Sequence, residues 1–160
     1  MAHLSDMAAG WGSIYANHAV LRTLVTFAHV ASLIVGGGAA IAADRATLVA
    51  VGPAGANRGA SLDMLHGTHR VVIVSLALVA TSGVLMLAAD LDSLLYSRVF
   101  WIKMGLVALL LANGGLLWNA EQRARRNDAT AWPRLRVTAF ASVALWLLAA
   151  LAGVALLNIG

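Results

Sequence analysis

This sequence predicts an all-α integral membrane fold, a four-transmembrane-helix bundle, and three observations carry that expectation. Of 160 residues, 61% are hydrophobic and only 11% are charged, against about 25% charged in a soluble domain. A chain this short must leave roughly a third of its surface in water, so the deficit implies that lipid replaces water over much of it. Four apolar runs reach the ~20 residues that a bilayer crossing needs. Both prolines, Pro53 and Pro133, fall between runs, as expected of a residue that breaks helix interiors.

Residues 1–160 read as one membrane domain with spans at about 21–43, 71–89, 99–118 and 137–157. The segment before the first span lacks a basic start and a short apolar core, and so is not expected to be a signal peptide. Its Met7, Trp11, Ile14 and Tyr15 recur at helical spacing, compatible with a short N-terminal interfacial helix. In the first span Ala28, Ser32, Gly36 and Ala40 place a small residue at every fourth position. Ala108, Ala112 and Gly115 form a similar stripe in the third. Small faces let helices approach closely where hydrophobicity cannot drive association in lipid. Asp63 and Ser61 have the character of N-cap or first-turn residues before the second span. Asp90-Leu91-Asp92-Ser93 ends that span in a short hairpin.

Orientation follows from the basic residues. Arg45, Arg58, Arg70, Arg123, Arg125, Arg126, Arg134 and Arg136 lie in the loops after the first and third spans, while only Arg22, Arg98 and Lys103 lie on the other side. The positive-inside rule then makes loops 44–70 and 119–136 cytoplasmic. Both termini are expected outside (periplasmic) in a bacterial-type inner membrane. The same clustering explains the net charge of +4 by lipid headgroups, without nucleic acid. No cysteine is present, which excludes disulfides and thiolate metal sites. There is no Ser/His/Asp constellation and no phosphate-cradling glycine loop. Asp44, Asp90 and Glu121 read as span-end residues, so no intramembrane carboxylate is expected and ion-driven transport is disfavoured.

His29 is the residue most suggestive of chemistry. It lies eight residues into the first span, about 12 Å along the axis at 1.5 Å per residue. An ionisable group at that depth faces the bundle interior with a partner. Two readings stay open: a haem or metal ligand, or a neutral imidazole bonded to Thr26, Asn113 or a hydroxyl on another span. Gly36 and Gly37 lie two turns along on its face, which suits either close helix contact or space for a flat macrocycle. Met86 and Met104 lie at comparable depths and are candidates for the sixth ligand of a haem b, or plain packing. His18, eleven residues earlier, shares the face of His29 if the helix starts that early.

His66, His69 and Asp63 form a second set, spaced i, i+3, i+6, that could hold one divalent metal from one side. The competing reading is an interfacial anchor. This set cannot share an iron with His29, because antiparallel spans put the two on the order of 20 Å apart in depth.

The stretches FAHVASLIVGGGAAIAADR and FWIKMGLVALLLANG, with the basic entry at Arg70 and the Gly83-Val84-Leu85-Met86 exit, resemble the CopD and HemJ group. These are small membrane proteins linked to copper handling and to haem-binding protoporphyrinogen oxidation. The resemblance implies a haem or metal ligand at His29, and Lys103 beside the haem or substrate. The sequence thus leaves three readings: a haem-b protein linked to electron transfer, a non-catalytic accessory subunit of a larger membrane complex or homo-oligomer, and a copper-handling module. If the chain is an enzyme, it is a membrane oxidoreductase.

Overall fold

The computed structural model describes residues 2–52 and 57–159. Among these there are only helices: α1 (Ala2–Asn17), α2 (Ala19–Val51), α3 (Arg58–Ala89), α4 (Leu91–Tyr96), α5 (Arg98–Arg125) and α6 (Ala131–Ile159). Helices α2, α3, α5 and α6 are long and apolar enough to cross a membrane. Even α5, with 28 residues, measures about 42 Å, against ~30 Å of bilayer hydrocarbon. The protein is an integral membrane helical bundle. Its connections make two antiparallel hairpins, with the chain termini at one end and the arginine-rich turns at the other.

Each helix outruns its expected span because apolar content marks only the part in hydrocarbon, while hydrogen bonding continues into polar residues. Helix α3 is the clearest case. Its N-cap is Asn57, in the left-handed region at φ 62°. Ser61 and Asp63 are therefore interior residues, not caps, and Ser61 Oγ instead donates to Thr47 Oγ1 of α2 at 3.2 Å. Pro53 lies outside the described residues. Helix α1 is the expected N-terminal helix. Trp11 Nε1 donates to the Leu85 carbonyl at 2.8 Å, pinning α1 on the terminal end of α3. The chain breaks helix at His18, the exposed N-cap of α2, so the continuous face from His18 to His29 does not form.

The bundle is a row in which α2 packs against α3 and α6, and α5 packs against α6. Between α2 and α3 the expected stripe works as predicted, since a Cβ at Gly36 would lie 2.5 Å from Ser75 Cβ. Gly37 faces the Trp146 ring of α6, where an added Cβ would lie 3.0 Å from Cε3. At these two glycines the space is taken up by close helix packing. Asn113 of α5 donates across to the Thr138 carbonyl of α6 at 2.9 Å. The expected α5 stripe differs from the observed one: Ala108, Ala112 and Gly115 are exposed, while Leu110, Asn113, Leu117 and Glu121 are buried. Hydrophobicity is nearly uniform around α5, so smallness alone misplaced its inner face.

The apolar core is densest at the arginine-rich end, where Ala43, Leu62, Leu65, Leu117, Ala131 and Leu135 cluster. Trp132 packs on this core and takes the Arg58 guanidinium over its ring at 4.7 Å, a cation–π contact. The turn into α6 is set by Asp128, whose Oδ1 accepts from the Thr130 hydroxyl at 2.6 Å and its backbone N–H at 2.9 Å. The Thr130 hydroxyl, then its amide, hold the carboxyl below its ordinary range. A depressed folded pKa contributes stability above the free carboxylate value of about 4 and loses it as pH falls through the folded value. Asp128→Ala is therefore expected to lower the melting temperature slightly at neutral pH. The gap to the parent should close in acid, as thermal scans at both pH values would register.

Candidate functional site

Two polar groupings occupy the bundle interior, one towards each end. Towards the termini, His29 of α2 meets Ser82 of α3, with Nδ1 and Oγ 2.9 Å apart. The Ser82 hydroxyl has one proton, and it points to the Leu78 carbonyl at 2.6 Å. At His29 that oxygen therefore accepts, so Nδ1 carries the hydrogen and Nε2 keeps its lone pair. Gly83 lies against the ring, where an added Cβ would come 3.4 Å from Cε1. Lys103 of α5 is close enough for its charge to act on His29. Its ammonium lies beside Gly153 of α6, 3.6 Å from where a Cβ would be. Met86 is one turn beyond Ser82 on the same face of α3 and is half-buried, whereas Met104 is 37% exposed. The cross-helix hydroxyl, one of the partners expected for His29, is thus present, while Lys103 comes from the other hairpin and lies against α6.

At the arginine-rich end the centre is Glu121 of α5, 0% exposed. Arg125, one turn on, donates through Nε to Glu121 Oε1 at 3.0 Å. Its other nitrogens reach the Leu62 carbonyl at 2.5 Å and Asp63 Oδ1 at 3.4 Å. His66 and His69 of α3 turn Nδ1 towards the same carboxylate, at 3.8 and 3.5 Å. The imidazole of His69 also donates from Nδ1 to the Leu65 carbonyl at 2.9 Å and stands edge-on to Trp118, with centroids 4.7 Å apart. The structure brings His66 and His69 together around Glu121, while Asp63 is drawn off to Arg125. Among the described residues no three His, Asp or Glu side chains converge in a way that could hold a metal ion.

Asp44 is the second buried acid. It is 1% exposed, and neither carboxylate oxygen has a hydrogen-bond partner. The Ser142 hydroxyl of α6 stands beside it. The expectation that no carboxylate lies inside the bundle is therefore corrected at two positions. Both helices continue past their apolar runs, carrying Asp44 and Glu121 into packed surroundings. A signal for Asp44 was available: it is the next member, at the same four-residue spacing, of the stripe Ala28–Ser32–Gly36–Ala40. No comparable signal marks Glu121, whose burial depends on α3 lying across it.

The buried Asp44 borders a cleft. Helices α3 and α5 meet sparsely, at the Glu121–Arg125 clamp and where His69 stands against Trp118, and a cleft of about 300 Å³ lies between them. No family model, curated protein or solved structure matches this chain, so its function rests on the geometry.

Proposed function

We propose that this integral membrane protein binds haem b through His29 and takes part in electron transfer. The observation that carries the reading is the His29–Ser82 pair. A metal-ligating imidazole characteristically commits its second nitrogen to a hydrogen bond that fixes tautomer and orientation, and here Nδ1 is so committed while Nε2 keeps its lone pair. Met86, on the α3 face that meets His29, would be the second residue to hold the group, in preference to the outward-lying Met104. Lys103 supplies a positive charge near the ring, suited to an anionic group of cofactor or substrate. When bound, haem would supply a one-electron couple. The chain's own contribution is to orient one imidazole, exclude water with the apolar faces of α2 and α3, and hold one cation nearby. The arginine-rich turns are assigned to the cytoplasmic side of a bacterial-type inner membrane.

An absorption spectrum of detergent-purified protein from haem-replete cells, oxidised and then dithionite-reduced, tests the reading. The expected result is a sharp reduced α-band that is lost in His29→Ala, with Met104→Leu unchanged. A featureless spectrum from the folded parent overturns it, and metal analysis of the same preparation separates haem from copper. A second reading, an accessory subunit in a larger membrane complex, is favoured by the uncovered Ala108–Ala112–Gly115 stripe of α5, the kind of face against which membrane helices pack.

A further inference from the structure

We propose that Asp44 and the cleft in front of it bind a lipophilic ammonium ion, a protonated or quaternary amine with an apolar body, drawn sideways from the bilayer. This site is separate from His29, which lies fifteen residues along α2 and about 22 Å away along its axis.

The first support is the carboxylate. Asp44 is 1% exposed, no hydrogen bond of normal geometry reaches either carboxylate oxygen, and the one donor beside them is the neutral Ser142 hydroxyl. A buried ionised group without a partner is costly and is resolved by a counter-charge or a proton. Its own chain provides no cation there, because no Lys or Arg lines the cleft. The arginines at this end turn outward or, in the case of Arg125, to Glu121. An anionic ligand is disfavoured for the same reason.

The second support is the shape and chemistry of the cleft. Its volume of about 300 Å³ sits at the small end of the range for small-molecule sites. The polar lining is confined to Asp44, Thr68, His69 and Ser142, while Trp118 and Trp146 offer ring surface. A carboxylate combined with aromatic faces is the arrangement that attracts quaternary and protonated amines. From Asp44 the cleft extends towards the middle of the bundle between Ile73 and Leu76 on α3 and Leu110 and Leu111 on α5. Ile73, Leu111 and Trp118 are exposed on the lipid-facing surface, so the long opening faces acyl chains. Gly114 keeps it clear, since nothing lies within 4 Å of where its Cβ would be. A cationic head at Asp44, near one membrane face, with its chain along the α3–α5 gap, matches how an amphiphilic amine already lies in a bilayer.

Equilibrium dialysis of octyltrimethylammonium against the full chain in lipid nanodiscs, corrected with empty nanodiscs, tests the proposal. Octanol serves as the uncharged counterpart. Saturable binding to the parent is expected, weakened at least tenfold in Asp44→Asn and not displaced by octanol. Gly114→Leu, which fills the cleft while leaving the carboxylate, is expected to abolish binding with helix content unchanged. This second variant keeps the test decisive should Asp44→Asn fail to fold. Absence of saturable binding to the parent overturns the proposal, as does equal binding by a folded Asp44→Asn or Gly114→Leu, or displacement by octanol.

Discussion

Glu121→Ala is expected to destabilise the bundle by about 3 kcal/mol, read as a shift in the midpoint of denaturing-detergent titration in mixed micelles. Removing one partner of a buried ion pair leaves the other charge uncompensated, which typically costs 3–5 kcal/mol. The lower end applies here because the Arg125 side chain is 32% exposed and can turn partly to water. Glu121 is also the piece that holds α5 to α3. Through Arg125 it reaches the Leu62 carbonyl and Asp63, and directly it faces His66 and His69. Glu121→Gln keeps the volume and the Oε1 acceptor for Arg125, so its loss should be less than half as large. Equal midpoints for parent and Glu121→Ala would show that the clamp contributes nothing to joining the hairpins.

The second large effect belongs to Gly36. Building a Cβ there puts it 2.5 Å from Ser75 Cβ, so Gly36→Ala forces α2 and α3 apart. Overpacking of this kind costs about 1–3 kcal/mol, and Gly36→Leu should exceed that. Gly38, two residues on, has open space at its Cβ position, so Gly38→Ala serves as the neutral control. Ser75→Gly removes the opposing carbon and should restore most of the stability lost in Gly36→Ala. The same titration reads all four proteins. If Gly36→Ala unfolds with Gly38→Ala and not well before it, the close approach of the two helices is wrong.

How far the fold could be read in advance depended on which physical signal each feature leaves in the chain. Apolar run length located all four spans, and the four-residue stripe on α2 named its packing face, because close helix approach demands small side chains at fixed intervals. The same reasoning failed on α5. There small residues occur on the lipid side too, and the buried face is marked instead by Leu110, Asn113 and Leu117. At the site, depth alone singled out His29, and the cost of burying imidazole required a partner, with a hydroxyl on another span one choice beside Thr26, Asn113 and a haem or metal. That the hydroxyl is Ser82 depends on the register between α2 and α3, which no local pattern records. Asp44 and Glu121 were passed over because a carboxylate after an apolar run looks like a helix end. Burial there arises from neighbours distant in sequence, not from the surrounding residues.

The row order of the helices also sets a timetable for assembly. The α2–α3 hairpin can close as soon as its second helix has been inserted, with His29–Ser82 and Gly36–Ser75 as its fastenings. The seam between α2 and α6 joins the first long helix to the last, with Gly37 meeting Trp146 across about two thirds of the chain. Until α6 arrives, the Gly37 side of α2 lacks the helix that covers it. The early hairpin therefore waits with one packing face uncovered, and that face is sealed only when α6 is inserted.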